Sequence, residues 1–264
     1  MHKPIRFVSL AAACAVAGAA LYGAGAATAG QSVANTTREP YNIGLLTQDI
    51  DAYYGTTLDS NGVYQPSATS QYAKDLASIE ADAKDYIDKA ARQAGHKGEK
   101  PAVVFDIDDT LLLSLDYEKK TSYTYNSATW AAYVAKADRP AVPGTPDLVK
   151  YAQSKGVEVF YNSGLSESQR SFAVENLKKV GADVNLDADH MFLKDAANPP
   201  SYLDSCATAG AWKCTTVQYK SGTRAHIESL GYNIVANFGD QYSDLDGGHA
   251  AQRYKIPNPT YFVG

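Results

Sequence analysis

The chain has 264 residues and a formal net charge of −5, with 24 basic and 29 acidic side chains. A chain of this length can bury one sizeable core and still carry added segments. Because acidic side chains are in excess and the sequence contains no basic run, binding to duplex nucleic acid or to an anionic membrane surface is disfavoured.

Residues 1–29 have the pattern of a secretory signal peptide. His2, Lys3 and Arg6 precede an Ala-rich apolar stretch, Phe7–Leu21, and Ala27–Ala29 fits a small-residue cleavage site. The alternative is a membrane anchor, but a spanning helix needs about 20 apolar residues and this stretch is shorter. We therefore expect a secreted protein, cleaved near residue 29, with no stable membrane insertion.

Two of the three cysteines, Cys206 and Cys214, lie beyond the predicted signal peptide. In an exported chain, a pair this close is most simply a disulfide. Two free thiols are the alternative, and a zinc site would need more ligands than the pair offers.

The N-terminal part of the predicted domain is expected to be helical. Residues 30–42 are expected to be flexible. Apolar residues recur at helical spacing over Ile43–Tyr54 and, as a longer amphipathic stripe, over Gln71–Ala94. Between them, Thr56–Ser70 is rich in Ser, Gly, Asn and Pro and is predicted to be a loop.

From residue 102 onwards, predicted strands and helices alternate. Strands are predicted at Ala102–Ile107, Val157–Tyr161, Met191–Leu193, Asn233–Phe238 and, last, Tyr261–Val263. Helices are predicted at Pro146–Ser154, Ser166–Val180 and Gly222–Leu230. This alternation predicts an α/β fold with a mainly parallel sheet, whose functional sites lie at the carboxyl ends of the strands.

Three carboxylates lie where the first of these strands ends. The stretch FDIDDTLL, Phe105–Leu112, contains Asp106, Asp108 and Asp109. Like charges this close repel one another, and burial raises the pKa values of carboxyl groups. Apolar residues on both sides indicate that the acids are partly enclosed, which a solvated acidic turn does not explain. Enclosed carboxylates need a cation, and ligation by oxygen alone suits Mg²⁺.

The spacing of the acids fits phosphate chemistry better than calcium binding. An EF-hand loop is excluded because Leu111 and Tyr117 stand where it needs glycine and glutamate. A carboxylate such as Asp106 can attack phosphorus and form an aspartyl-phosphate. Asp108, two residues further on, would point the same way along a strand and could protonate the leaving oxygen.

Three later segments supply groups that this chemistry needs. Asn162-Ser163-Gly164 follows a predicted strand, and its hydroxyl and backbone amides can bind a phosphoryl oxygen. Lys220 stands before a predicted helix and can neutralise the transferring group. Asp240 ends a predicted strand and Asp244 follows it, which offers a further Mg²⁺ ligand and a supporting acid. Each of these three segments alone could be an ordinary turn or a solvated side chain. Together with FDIDDTLL they make four motifs that supply groups for the same chemistry, and such a set is harder to dismiss.

In this order, FDIDDTLL, YNSG, YKS and FGDQYSD resemble the four motifs of the haloacid dehalogenase (HAD) superfamily. The run YKSGTRAHIESLGYNIVANFGDQYSDL, followed by KIPNPTYFV, is more similar to the secreted HAD acid phosphatases of the class B/plant type, subfamily IIIB. The resemblance implies a Rossmannoid three-layer α/β sandwich with a parallel central sheet and N-terminal helices. This domain would cover residues 43–264, with a small cap at about 115–143.

The resemblance also implies a role for each acid of the first and last motifs. Asp106 would be the nucleophile and a Mg²⁺ ligand. Asp108 would be the general acid and base, and its backbone carbonyl would also reach the metal. Asp240 would complete the metal site, Thr110 would stabilise the loop, and Asp109 is expected to be exposed or to lie behind the other acids.

The middle motifs would bind phosphate. Ser163, Gly164 and Lys220 would hold the phosphoryl group, and Asp244 would orient Lys220 or a metal-bound water. Many relatives have Thr-Gly-Arg where this chain has Ser163, Gly164 and Leu165, so the hydroxyl is retained and the arginine is missing. That loss would alter the contacts with the substrate.

The segment between the first two motifs has an aromatic bias. Tyr117–Pro143 contains Tyr117, Tyr123, Tyr125, Trp130 and Tyr133. These rings could stack on a nucleobase or an aryl phosphate, or Trp130 and Tyr133 could be core residues of a short helix. Asp195–Thr216, with its two cysteines, is another candidate for a pocket rim.

Taken together, these features predict a secreted, Mg²⁺-dependent phosphomonoesterase that acts on small phosphate monoesters through an aspartyl-phosphate. An alcohol could intercept the same intermediate, so a phosphotransferase is one alternative. A non-catalytic binding or storage protein on the same scaffold is another, and the retained Asp106 and Asp108 count against it.

Overall fold

The computed structural model describes residues 40–264. The predicted signal peptide and the predicted flexible segment up to residue 39 lie outside the described residues. Asn42–Gly264 forms one structural unit.

The N-terminal elements of this unit are two helices joined by a small hairpin. They are α1 (Ile43–Tyr54), β1 (Thr57–Leu58), β2 (Tyr64–Gln65) and α2 (Gln71–Lys97). The side chains of Asn42 and Ser70 accept hydrogen bonds from the first free backbone amides of α1 and α2, which explains where each helix begins. Both predicted helices are confirmed, and α2 runs three residues beyond the predicted end.

The remaining chain alternates strands and helices as the sequence predicts. In chain order the elements are β3 (Lys100–Phe105), α3 (Leu115–Lys120), α4 (Ser127–Val134), α5 (Thr145–Ser154), β4 (Glu158–Ser166), α6 (Arg170–Lys179), β5 (Met191–Lys194), β6 (Ala207–Thr208), β7 (Ala211–Trp212), α7 (Thr216–Ser229), β8 (Tyr232–Gly239), α8 (Tyr242–Leu245) and β9 (Gln252–Lys255).

Five of these strands form one parallel sheet in the order β5-β4-β3-β8-β9. Alternate residues of the central strand β3 face opposite layers. Val103 and Phe105 pack in one core with residues of α2, α5 and α6, while Ala102 and Val104 pack with Ile227 of α7. The predicted α/β sandwich with a parallel central sheet is therefore confirmed.

Three of the differences from the predicted elements concern the last strand and the places of the second and third motifs. The last strand is β9, Gln252–Lys255, and not Tyr261–Val263, which forms no strand. β9 is an edge strand with a single buried side chain, Tyr254, so its sequence carries no apolar pattern. β4 continues to Ser166, so the second motif lies inside the strand rather than after it. α7 begins at Thr216, so the third motif lies within this helix and does not precede it.

Two other features bear on the sequence predictions. Cys206 and Cys214 form a disulfide that closes over the β6–β7 hairpin, as predicted. Between residues 40 and 264, no helix combines the length and the apolar character that crossing a membrane would require.

Candidate active site

The parallel sheet brings the motif residues to one edge. β4 and β8 flank β3, and Phe105 is in register with Tyr161 on one side and Phe238 on the other. Asp106 follows Phe105 directly, while Asn162 and Gly239 follow the two neighbours. Because parallel strands end at the same edge, residues far apart in sequence meet there.

A buried lysine and three buried aspartates form the charged base of this site. Lys220 Nζ donates to Asp106 Oδ1 at 2.6 Å and lies 2.8 Å from Asp244 Oδ1. Carboxylate oxygens of Asp106, Asp240 and Asp244 lie within 4.8 Å of one another. We call Asp106, Lys220, Asp240 and Asp244 the floor of the site.

The floor holds more negative than positive charge in a desolvated setting. Burial raises the pKa of Asp106 to about 8; Lys220 opposes this shift, and Asp244 and Asp108 add to it. Burial, followed by the charges of Asp106, Asp244 and Asp109, raises the pKa of Asp240 well above its usual range. Burial works to lower the pKa of Lys220, but Asp106 and Asp244 outweigh it, so that pKa is raised and the lysine stays charged. The cluster therefore has the electrostatic character of a cation site, and its carboxylates could hold a metal ion.

Local contacts fix Lys220 and Asp244 in the floor. Asn162 accepts a hydrogen bond from Lys220 Nζ through its backbone carbonyl and donates its side-chain amide to the carbonyl of Lys220 at 3.0 Å. Gly239 lies so close to Asp244 that a β-carbon there would overlap the aspartate side chain. The glycine of the fourth motif is thus needed for the approach of Asp244.

Asp240 is held by two side-chain amides. Gln241 Nε2 and Asn258 Nδ2 each donate to Asp240 Oδ2 at 2.7 Å. Such outer contacts orient a ligating carboxylate and leave its other oxygen available. Gln241 also accepts from the backbone amide of Val263 at 3.1 Å, which ties the end of the chain to this loop.

Asp108 differs from the floor acids because it faces a cavity and has its own cation. Arg139 Nη1 donates to Asp108 Oδ1 at 2.5 Å. The Arg139 side chain is 1% exposed and that of Asp108 19%. Leu165, where the resemblance leads us to expect arginine, is a core residue.

Asp109 is buried, which excludes the exposed alternative and agrees with the alternative that it lies behind the other acids. It has a left-handed φ of 51° that non-glycine residues rarely adopt. The Asp109 carboxylate accepts hydrogen bonds from the backbone amide of Ser114, at 2.8 Å, and from the Ser114 hydroxyl, and these bonds stabilise the residue in this conformation. Thr110 is also buried, and its hydroxyl has no hydrogen-bond partner within residues 40–264.

Of the predicted phosphate-binding residues, Lys220 belongs to the floor, and Ser163 and Gly164 follow Asn162 in β4. Ser163 is buried, and its Oγ accepts from the backbone amide of Leu165 at 3.2 Å, which leaves its own proton free to be donated. Gly164 is exposed and lines the cavity next to Asp108. Their roles stay predictions.

The cavity has a volume of about 490 Å³. Asp108, Glu118 and Lys194 supply its charged groups. We call the aromatic residues that line it the wall: Tyr123, Tyr125, Trp130, Trp212, Tyr219, Tyr261 and Phe262. Tyr133 is buried, whereas Trp130 both packs against the core and lines the cavity, so the core and stacking alternatives stay open for Trp130. The other predicted rim segment contributes Trp212 and Cys214.

A family model described as HAD superfamily, subfamily IIIB (acid phosphatase), matches residues 48–264. The chain belongs to this subfamily. The expected resemblance is thereby confirmed, over a longer stretch than the motifs indicate.

Named relatives of this HAD subfamily IIIB chain include both phosphatases and storage proteins. Stem 28 kDa glycoprotein of Glycine max is 34% identical over 169 residues, 62% of this chain and 61% of that protein. Vegetative storage protein 1 of Arabidopsis thaliana is 34% identical over 164 residues, which cover 61% of this chain and 54% of that protein. The chain thus spans about half to three fifths of these two relatives. Acid phosphatase 1 of Solanum lycopersicum is 28% identical over 210 residues, which cover 75% of this chain and 76% of that protein.

Solved structures agree with the fold. The class C acid phosphatase of Bacillus anthracis with tungstate bound superposes with a TM-score of 0.52 at 25% identity, covering 70% of this chain and 78% of that one. A second structure of the same enzyme gives 0.51 at 24% identity.

Sequence reasoning missed several residues that support the site. Arg139 sits in an irregular segment with no motif, and the only hint of it is the arginine missing at Leu165. Asn258 lies in KIPNPTYFV, a run that resembles the family without indicating a role for the asparagine. Asn162 belongs to a recognised motif, but its two contacts with Lys220 need the folded chain to be seen.

Proposed function

We propose that this chain is an exported, Mg²⁺-dependent phosphomonoesterase that acts through an aspartyl-phosphate on Asp106. The observation that carries the proposal is the floor: a charged lysine lies between Asp106 and Asp244, with Asp240 alongside, and all four side chains are buried. Membership of an acid phosphatase subfamily supports it. Export is supported by the predicted signal peptide and the disulfide.

The donor set of the floor suits Mg²⁺. It consists of carboxylate oxygens alone, which is the preference of a hard divalent cation. The pKa values of Asp106 and Asp240 are raised by burial and, to a smaller extent, by neighbouring negative charge. Asp106, Asp240 and the backbone carbonyl of Asp108 would hold the ion, with Asp244 within reach. Bound Mg²⁺ would supply positive charge that offsets the carboxylates and the phosphoryl oxygens.

In the first half of the reaction, an Asp106 oxygen attacks phosphorus and the bond between phosphorus and the ester oxygen breaks. Asp108 gives its proton to the leaving oxygen, which departs as the alcohol. Lys220, Ser163 and the backbone of Gly164 hold the phosphoryl oxygens, so the chemistry depends on positioning and charge neutralisation.

In the second half, water attacks phosphorus and the bond to Asp106 breaks. Asp108, now ionised, takes a proton from that water, which releases inorganic phosphate and returns both carboxyl groups to their starting states. Entry of an alcohol instead of water would give phosphotransfer.

The cavity supports small monoesters with an aromatic leaving group as substrates. Its volume of about 490 Å³ lies within the range of small-molecule sites, and it opens onto Asp108, the proposed proton donor. The rings of its wall can stack on an aryl or nucleobase group. The similar Bacillus anthracis enzyme binds tungstate, a tetrahedral oxyanion like phosphate, which supports a phosphate ester as the substrate.

A non-catalytic storage or binding role is the second candidate. It is favoured by the similarity to Vegetative storage protein 1, a relative that is 34% identical. The complete floor of Asp106, Lys220, Asp240 and Asp244 counts against it, because a storage protein has no need of a buried cluster of like charges.

The proposal is tested by hydrolysis of para-nitrophenyl phosphate from acid to neutral pH, with Mg²⁺ or with EDTA. We expect turnover that EDTA removes and Mg²⁺ restores. Asp240→Asn should require far more Mg²⁺, while Asp183→Asn, which changes an aspartate whose side chain is 55% exposed, should not. Absence of turnover at every pH and metal concentration would favour the storage or binding role.

A further inference from the structure

Within residues 40–264, Arg139 is the basic side chain that donates a hydrogen bond to Asp108. It lies between α4 and α5, remote in sequence from the four motifs. Its guanidinium Nη1 donates to Asp108 Oδ1 at 2.5 Å, and the side chain is almost completely buried. A charge-assisted bond of this length fixes the carboxylate strongly.

The position of Arg139 is itself fixed from two sides. Asn176 of α6 accepts from the Arg139 backbone amide at 3.0 Å and donates to its carbonyl at 2.8 Å. The guanidinium carbon lies 5.4 Å from the centre of the Trp130 ring. The arginine is therefore a preorganised donor rather than a mobile surface charge.

A purely stabilising role accounts poorly for this arrangement. Arg139 Nε and Nη2 are buried with no hydrogen-bond partner in the described part of the chain. A buried ion pair that leaves donors unsatisfied contributes little to stability, because the cost of desolvation is not recovered. The pair does fix one oxygen of a carboxylate that lines the cavity.

We propose that Arg139 is a positioning residue for Asp108, an inference that rests on the proposed function. Arg139 holds Oδ1, and the second carboxylate oxygen of Asp108 is then presented to the leaving-group oxygen of the ester. The cation comes from the segment after α4, whereas Leu165 of the second motif contributes only to the core.

The test uses three esters that present a similar ring to the wall but differ in leaving-group basicity: para-nitrophenyl, phenyl and benzyl phosphate. Protonation of the leaving oxygen matters least for nitrophenolate and most for the benzyl alkoxide. Arg139→Met should therefore lower kcat/KM for benzyl phosphate by about tenfold or more, and that for para-nitrophenyl phosphate by only about twofold. KM should change little.

Two further variants keep the test decisive. Arg139→Lys retains the charge with a poorer hydrogen-bond geometry, so its loss of kcat/KM for benzyl phosphate should be intermediate. If circular dichroism shows that the Arg139→Met variant is unfolded, the test relies on Arg139→Lys. Arg170→Met is the matched control, because it breaks an Arg–carboxylate pair of the same 2.5 Å length with Glu167. Any effect of the control should be equal for all three esters.

The inference would be overturned if the Arg139 variants lost kcat/KM equally for all three esters, because loss of folded enzyme lowers every kcat/KM by the same factor. It would also be overturned if the variants lost no kcat/KM at all. Asp108→Asn separates this failure from failure of the proposed function. If Asp108→Asn also fails to discriminate among the esters, the assigned acid role is wrong and the inference falls with it. If Asp108→Asn discriminates and Arg139→Met does not, only the role of Arg139 is wrong.

Discussion

The floor of the site is charged and buried, whereas the wall is aromatic and partly exposed. Each floor residue is buried and bonded to another fixed group, as Lys220 is to Asp106, Asp244 and Asn162. The wall includes exposed rings such as Tyr125 and Phe262. This difference suggests that the floor performs the proposed chemistry and the wall selects the leaving group, so changes to the two parts should have different consequences.

Removal of the floor cation should have the largest effect. Lys220→Met leaves Asp106 and Asp244 buried without their partner, and breaking a buried ion pair in this way costs about 3–5 kcal/mol. We expect loss of activity together with a lower unfolding free energy, measured by urea denaturation. Lys84→Met removes a half-exposed lysine paired with Glu80 and should cost less than about 1 kcal/mol. Equal losses in the two variants would contradict the distinction between a buried and a surface pair.

Crowding of the floor should have the next largest effect. A methyl group in Gly239→Ala would overlap Asp244, so the aspartate or the strand end must move, at a cost of about 1–3 kcal/mol. We expect a lower melting temperature and a higher Mg²⁺ requirement. Gly95→Ala meets no atom within 4 Å and should be neutral or stabilising. An active, undisturbed Gly239→Ala variant would show that Asp244 need not approach the strand.

A change in the wall should affect binding rather than chemistry. Trp212 lies beside the disulfide, with its ring 5.4 Å from that of Tyr219. Trp212→Ala should raise KM for aryl phosphates by about fivefold and leave kcat almost unchanged, because only stacking contacts are lost. Alkyl phosphates should show no such change in KM. A loss confined to kcat would place Trp212 with the floor instead.

The smallest predicted effect concerns Glu118, the acid in the cavity lining that belongs to α3. Burial, with a contribution from Asp109, raises its pKa from 4.5 to about 7. The folded chain therefore holds this proton more tightly than the unfolded chain, and stability is lost as pH rises from 4.5 through 7.

Glu118→Gln should remove that pH dependence. The melting temperature of this variant should match that of the wild type near pH 4 and exceed it at pH 8. The corresponding gain in the free energy of unfolding at pH 8 should be at most about 2 kcal/mol. Glu175→Gln, at an exposed position, is the control. A gap that does not widen with pH would mean that Glu118 ionises normally.

The sequence predicts the positions of Asp106 and Asp240 in the floor well because both come directly after buried strands. Asp106 and Asp240 follow apolar runs, and the parallel pairing of β3 with β8 makes their proximity a consequence of the fold. The same logic fails for β9, where Gln252, Arg253 and Lys255 surround one buried tyrosine and no apolar pattern marks the strand. The early start of α7 could have been found, since Thr215 and Gln218 form a capping box.

The supporting contacts could not be predicted in this way. Arg139 reaches Asp108 across 31 positions of sequence, and Asn258 reaches Asp240 across 18. Neither residue lies on a regular element whose periodicity would reveal its direction. Such contacts depend on tertiary packing, which local pattern and propensity do not encode.

The central claim, that Asp106 is a nucleophile, is tested most directly by acid-quenched labelling with a ³²P aryl monoester in the presence of Mg²⁺. We predict label on the peptide that contains Asp106, with more label in Asp108→Asn because hydrolysis of the intermediate is slowed. Asp106→Asn should carry no label and should lose activity by at least about 10³-fold. Turnover of Asp106→Asn at the wild-type rate, or label on another residue, would contradict the claim.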